Sequence, residues 1–177
     1  LDVEKQSCGA IVKTKKKNQK DQAMDVYKNK VAVCCKTKKE NAKYDSISLF
    51  IYDMEKGELS EIYDYLSERE TKDISKIKQI SKIVFSESGN YLAISKSWLT
   101  LDVEDEQSQM IYIYDMKNGK IVQKFGTESV LDLCFIDEDA VASVEYSLYK
   151  SPYYNGWEMQ ESIYSLKDGK SLWQSQK

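Results

Sequence analysis

Acidic side chains cluster in the stretch "TLDVEDEQSQ", which contains Asp102, Glu104 and Asp105. Carboxylate oxygens are the ligands that Ca²⁺ prefers in proteins. The stretch lacks the Asp-x-Asp-x-Asp-Gly spacing that wraps oxygen ligands around such an ion. We therefore expect no metal site here, and instead a solvated acidic loop that contributes charge to a binding surface.

A second stretch, "SPYYNGW", is rich in aromatic residues and contains Tyr153, Tyr154 and Trp157. Such side chains offer rigid amphipathic area of the kind that anchors protein interfaces or stacks on sugars. Pro152 and Gly156 would stiffen and turn a loop. Two interpretations stay open, because the aromatic residues either bind a partner or cover a neighbouring part of their own fold.

The sequence offers little for catalysis. It contains no His, the side chain that most often acts as a general base near neutral pH, and no Gly-x-Ser-x-Gly or Gly-rich phosphate motif. Its four cysteines, Cys8, Cys34, Cys35 and Cys134, show no metal-ligand spacing. Within "KVAVCCK" we expect Cys34 and Cys35 to be small buried residues on opposite faces of a strand. The segment is predicted to be non-catalytic and to use no cofactor.

The charge and apolar content of the sequence limit which partners and which cellular locations are expected. Lys plus Arg number 26 against 29 for Asp plus Glu, so the net charge of −3 gives no general attraction to nucleic acid. No apolar run approaches the ~20 residues of a membrane-spanning helix. The chain begins with Leu1 instead of Met, which leaves an upstream leader or further domains open. A cytoplasmic location is favoured, and an exported protein stays the alternative.

One phrase occurs three times: "IYDMEKGEL" at Ile51–Leu59, "IYDMKNGKI" at Ile113–Ile121 and "IYSLKDGKS" at Ile163–Ser171. Its β-branched and aromatic residues are typical of strands, and its Gly-containing turn is typical of a tight hairpin. We expect hairpin turns at Lys56-Gly57, Asn118-Gly119 and Asp168-Gly169, with positive φ angles at the turn residues.

Two further strands precede each hairpin, as in "KIVFSESGNYLAIS" at Lys82–Ser95, so a unit of four strands recurs. "FSESGNYLAIS" followed by "IYIYDMKNGKIVQKF" resembles the blade of a WD-repeat or similar bacterial β-propeller. Tyr114-Asp115 and Tyr52-Asp53 take the place of the Trp-Asp pair of that family. The resemblance implies an all-β, propeller-like fold.

The repeats predict three four-stranded antiparallel blades at 24–79 (with a linker), 80–129 and 130–177, preceded at 1–23 by a strand of a preceding blade, "CGAIVKTK", and a Lys-rich loop. Closed propellers need at least ~4 blades. We therefore expect part of a larger ring, completed by further blades of a longer chain, by copies of this one, or by irregular segments without a recognisable repeat.

The predicted blades place every long connection on one side: Thr37–Ser46, Ser67–Ser81, Thr100–Gln109 and Lys150–Glu161. Binding sites favour such loops on a rigid scaffold. The predicted function is a binding or scaffold module that recognises a protein partner through this side. The alternatives are an exported protein that binds carbohydrate or another surface ligand, and a sensing or gating domain of a larger enzyme.

Overall fold

The computed structural model of the chain describes residues 19–37, 46–63, 76–100, 109–127, 129–150 and 155–175. Within these ranges the fold is all-β, and no helix is long and apolar enough to span a membrane. The strands are β1 (Gln19–Tyr27), β2 (Lys30–Thr37), β3 (Ser46–Asp53), β4 (Glu58–Tyr63), β5 (Lys76–Phe85), β6 (Tyr91–Thr100), β7 (Gln109–Asp115), β8 (Lys120–Thr127), β9 (Ser129–Phe135), β10 (Ala140–Lys150), β11 (Asn155–Ser165) and β12 (Ser171–Gln174).

The strands form three four-stranded antiparallel sheets, each ordered as in the chain. The first sheet holds β1–β4, the second β5–β8 and the third β9–β12, which confirms the predicted propeller-like arrangement of consecutive four-stranded units. Two boundaries differ from the sequence analysis. Strand β1 begins at Gln19, and β5 begins at Lys76, so residues 76–81 lie in a strand and do not belong to a linker.

Strand register shows that the repeats are structurally equivalent. Ala32 pairs with Ile51 in the first sheet, and Ala93 with Ile113 in the second, as Ala142 does with Ile163 in the third. We call the face that carries these Ala and Ile residues the front of each sheet, and the opposite face the back. Because successive side chains of a strand alternate between faces, this pairing assigns every strand residue to one of them.

The core lies between the sheets. The front of the first sheet packs on the back of the second through one buried cluster: Ala32, Cys34, Leu49, Ile51, Ile83, Phe85, Leu92, Ile94 and Tyr114. The front of the second sheet packs on the back of the third through another: Ala93, Ile111, Ile113, Phe125, Val130, Leu133, Val141 and Tyr164. Strand β5 contacts both β1 and β9, so the first strand of each sheet forms the inner edge of the stack.

The turn chemistry explains why the chain repeats one phrase. Asp115 ends β7, and its carboxylate accepts hydrogen bonds from the backbone amides of Lys117 and Asn118 at 2.8 and 2.9 Å. Gly119 then takes a φ of 66° and donates its amide to the Asp115 carbonyl. Asp53 makes the same pair of bonds in the first sheet, whereas the hydroxyl of Ser165 accepts from Lys167 in the third.

The turns of the first and second sheets therefore hold four residues each, and that of the third holds five. In each of the three turns only the glycine has a positive φ. The sequence analysis placed the turns correctly but expected positive φ at both residues of the Asn118-Gly119 pair, which is wrong. The preceding Asp or Ser side chain bonds the backbone amides of the turn, so Asn118 keeps a negative φ and the glycine alone reverses the chain.

We expect Asp115→Ala to lower the free energy of unfolding by about 1 kcal/mol, because two backbone amides lose their acceptor. The Asn118 amide holds the pKa of Asp115 below its usual value. The stability that the Asp115 carboxylate contributes is thus fully present above its ordinary pKa of about 4, and it disappears as pH falls through the lowered pKa of the folded protein. Urea denaturation at neutral and acidic pH measures both effects. Lys117→Ala, in the same turn, is the matched control and should change stability little; an equal loss in both variants would contradict the assignment.

Candidate functional site

The short turns of all three sheets lie on one side of the stack. Within each sheet a backbone hydrogen bond joins the two short turns, for example from Met116 to Asn90. Between sheets, the carboxylate of Glu138 accepts from the Ser86 hydroxyl at 3.3 Å and from the Ser88 amide at 3.0 Å. Because antiparallel strands return to the side they left, the connections 38–45, 64–75, 101–108 and 151–154 all start from the opposite side. We call it the long-connection side.

Two hairpins extend beyond their sheets on the long-connection side. In the second sheet, β5 and β6 pair as far as Lys76 with Thr100, whereas the pairing of β6 with β7 stops at Lys96 with Met110. In the third sheet, β10 and β11 pair as far as Lys150 with Asn155, whereas β9 stops pairing at Tyr146. Among the described strands, each extension is a two-stranded ribbon standing on a four-stranded base.

Each ribbon carries a tryptophan. Trp157 pairs with Leu148 in the β10–β11 ribbon, and Trp98 pairs with Lys78 in the β5–β6 ribbon. The sequence analysis placed Trp157 in a loop, which is wrong: β11 begins at Asn155, and the connection shortens to 151–154. The pairing of β10 with β11 includes Gly156, which lies opposite Tyr149, so Gly156 is a strand residue and does not turn a loop. Trp98 was missed, because "AISKSWLT" shows no regular alternation that would extend β6 to Thr100.

The other predicted site residues lie outside the described part of the chain: Tyr153, Tyr154, Asp102, Glu104 and Asp105. The strand "CGAIVKTK" and the connection 38–45 lie outside it as well. The register still fixes where two of these stretches attach. Residues 151–154 join the ends of the β10–β11 ribbon, and residues 101–108 follow the end of the β5–β6 ribbon.

The described residues offer no metal site, since they contain no group of three or more His, Cys, Asp or Glu side chains able to hold an ion. Cys34 is buried in the cluster between the first and second sheets, and Cys35 is buried on the opposite face. Their predicted placement on the two faces of a strand is confirmed. Burial, together with the neighbouring Cys35, raises the pKa of the Cys34 thiol, which therefore stays protonated and is a poor nucleophile.

A buried polar cluster lies at the base of the β10–β11 ribbon. The carboxylate of Glu145, which is 1% exposed, accepts hydrogen bonds from the hydroxyls of Ser143 and Tyr164. The Tyr164 ring stacks on Phe125 of the second sheet, with centroids 5.1 Å apart. Burial and the charge of Glu145 raise the pKa of Tyr164 to about 12 against the lowering effect of its hydrogen bond with Ser162. Tyr164 therefore stays protonated near neutral pH, and its hydroxyl donates a hydrogen bond to the carboxylate of Glu145.

Glu145 was not singled out from the sequence. In "AVASVEY" the apolar residues Ala142, Val144 and Tyr146 alternate with Ser143 and Glu145, so the pattern predicts that Glu145 faces solvent and gives no signal for its burial. Glu145 is adjacent to Tyr146, where the sheet narrows to the ribbon, whereas Tyr164 pairs with Val141 deeper in the sheet. We therefore expect the cluster to fix the ribbon to the four-stranded part of the third sheet.

Comparison with known proteins supports the fold alone. No family model matches the sequence, and no curated protein matches it. Among solved structures, the acylaminoacyl peptidase of Pyrococcus horikoshii aligns with a TM-score of 0.62 and 13% identity in its orthorhombic crystal form, over 90% of this chain and 25% of that one. Its uncomplexed form aligns with a TM-score of 0.61 over 92% of this chain and 26% of that one, also at 13% identity. The chain spans about a quarter of the peptidase chains that it matches.

Proposed function

We propose that this chain is a non-catalytic, propeller-type binding module that recognises a protein partner through its long-connection side. The observation that carries the proposal is the pair of ribbons, each with a tryptophan, that rise from neighbouring sheets on that side. Binding residues are often held on projecting segments of a rigid scaffold, and here the scaffold is the packed stack of sheets.

The chemistry of the ribbons favours a protein as the partner. Tryptophan is among the residues that contribute most to protein interfaces, because it buries a large area with few rotatable bonds. The connections that join or follow the ribbons carry Tyr153, Tyr154 and the acidic Asp102, Glu104 and Asp105. Aromatic residues would supply most of the affinity, and the acidic residues would set association rate and salt dependence.

A second candidate is the sensing or gating domain of a larger enzyme. Its support is the structural match to a peptidase of which this chain covers only a quarter. In that case the protein partner would be a catalytic domain or its peptide substrate. The two candidates share the long-connection side as the contact surface, and they differ in whether the partner is a separate protein.

We expect Trp157→Ala to raise the dissociation constant of the partner complex about 30-fold, because an anchor residue contributes about 2 kcal/mol. The partner is identified by photo-crosslinking from a benzophenone side chain at position 154, and its affinity is then measured by isothermal titration calorimetry. Val122→Ala is the matched control, since Val122 is exposed on β8. Its affinity should equal that of the wild type.

The melting temperature of each variant shows whether a substitution weakens partner binding directly or destabilises the fold. Trp157→Ala should leave the melting temperature close to that of the wild type. A lower melting temperature with unchanged affinity would mean that Trp157 packs within its own fold, and the proposal would lose its main anchor. Crosslinking that joins position 154 to a catalytic domain encoded in the same reading frame would favour the second candidate.

A further inference from the structure

The two faces that pack between the first and second sheets become charged towards the long-connection side. Their buried apolar cluster reaches Cys34 and Leu49 on the front of the first sheet and Ile94 on the back of the second. The next residue of β2 on the same face is Lys36, which pairs with Lys20 of β1. The apolar core between these sheets is therefore followed, on the first sheet, by two lysine positions.

The back of the second sheet continues in the same way. After Ile94, β6 places Lys96 and Trp98 on this face. The register adds Lys78, which pairs with Trp98, and Lys76 two residues further along β5. Among the described residues, the register places no Asp or Glu on either face at this end. We call the six positions on the two facing sheets the basic cluster: Lys20, Lys36, Lys76, Lys78, Lys96 and Trp98.

The faces between the second and third sheets carry the opposite charge at the same end. Beyond Ser143, the back of the third sheet carries Glu145 and Glu158. Beyond Ser95 and Ser143, the register of the described strands places no lysine on either of these faces. Positive charge on the long-connection side is thus concentrated between the first and second sheets.

The segments that adjoin the basic cluster in the chain do not cancel its charge. These segments are 13–18 before β1, the connections 38–45 and 64–75, and the connection 101–108 after β6. Together they contain nine basic and ten acidic residues. They therefore leave the five lysines of the cluster almost entirely in excess.

Lysines around a tryptophan suit an acidic segment of a protein. Lys presents a compact point charge, whereas phosphate and nucleic-acid sites favour the planar fork of Arg, and all five basic positions of the cluster are Lys. From Lys76 to Ile80 the strand rises about 13 Å, which is the length of a short extended peptide. A longer polyanion would also meet the acidic connection 101–108 and a chain of net charge −3.

We propose that the basic cluster binds an acidic segment of the protein partner, with carboxylates at the lysines and an apolar side chain at Trp98. This inference rests on the proposed function, because the cluster lies on the long-connection side. It adds the chemistry of the partner that this side recognises. It also gives Trp98 a role as the apolar contact within a charged site.

The test measures the affinity of the full chain for a fluorescein-labelled peptide of about ten residues, mostly Glu with Phe at its centre, by fluorescence anisotropy. Lys36→Glu combined with Lys78→Glu reverses one charge on each face and should raise the dissociation constant at least about tenfold. Lys56→Glu combined with Lys167→Glu is the matched control. It makes the same change in net charge at exposed positions in the short turns and should alter the constant less than about twofold. A peptide with Gln in place of Glu should not bind.

The neutral pair Lys36→Gln with Lys78→Gln keeps the test decisive if the reversed chain does not fold, and it should raise the constant at least about threefold. No binding of the acidic peptide at millimolar concentration, or equal losses in the reversed and control pairs, would overturn the proposal. Tighter binding of an oligothymidine of similar length, with the same dependence on Lys36 and Lys78, would overturn it in favour of nucleic acid. Peptide binding that appears only after the acidic residues of 101–108 are changed to Asn and Gln would show that this connection occupies the cluster itself.

The partner captured by crosslinking distinguishes failure of this inference from failure of the proposed function. A partner whose affinity depends on Trp157 but not on Lys36 and Lys78 would support the proposed function and overturn the role of the basic cluster. A partner whose affinity falls at least about tenfold in the reversed pair, yet is unchanged by Trp157→Ala, would support the basic cluster and remove Trp157 as an anchor.

Discussion

Ile113→Ala should lower the free energy of unfolding by about 4 kcal/mol, the largest loss we expect from a single apolar truncation in this chain. Ile113 is fully buried, on the front of the second sheet, within the cluster that joins this sheet to the third. Removing most of its side chain leaves a cavity between two packed sheets that cannot collapse without moving their backbones. Urea denaturation monitored by tryptophan fluorescence measures the loss.

The repeat supplies a matched control for this prediction. Ile163→Ala makes the same chemical change at the equivalent position of the third sheet, where the side chain is only half-buried. This change should cost about 1 kcal/mol, because a half-buried side chain leaves no closed cavity when it is truncated. Equal losses at Ile113 and Ile163 would contradict the stacking of the second sheet on the third and would mean that the front of the third sheet is covered within the chain.

The fold was predictable because its determinants are local and repeated. Each hairpin needs an apolar strand, a residue that caps the turn and a glycine with positive φ, and the three copies of the phrase supply all three. Repetition then indicates four-stranded units, since each copy is preceded by the same pair of strands. The sequence analysis erred where a single residue type was ambiguous, as at Gly156, which continues β11 instead of ending a loop.

The candidate site was less predictable, because it depends on relative strand lengths. Trp98 and Trp157 stand on ribbons only because β7 and β9 stop pairing before their neighbours end. The residues around Trp98 do not show where the pairing of β6 with β7 stops. That point is set by the register between two segments that are distant in the sequence. The role of Glu145 is similarly non-local, since its partner Tyr164 lies on another strand and the covering sheet comes from earlier in the chain.

Glu145→Ala should lower the free energy of unfolding by about 3 kcal/mol or more. The change leaves the hydroxyls of Ser143 and Tyr164 without their acceptor in a buried site, and each buried unpaired group costs about 1–3 kcal/mol. Glu145→Gln should lose less, because its amide oxygen still accepts a hydrogen bond. Glu161→Ala, at an exposed position of the neighbouring strand β11, is the matched control and should stay within about 0.5 kcal/mol of the wild type.

Hydrogen exchange tests whether the cluster fixes the ribbon as well as the core. In Glu145→Ala the backbone amides of Leu148 and Trp157, which pair across the ribbon, should exchange faster than those of Ala93 and Ile113 in the second sheet, relative to the wild type. The reason is that the ribbon stands on the third sheet at the position where Glu145 ties β10 to β11 through Tyr164. A stability loss equal to that of Glu161→Ala, or faster exchange spread evenly over all three sheets, would show that Glu145 does not hold the ribbon in place.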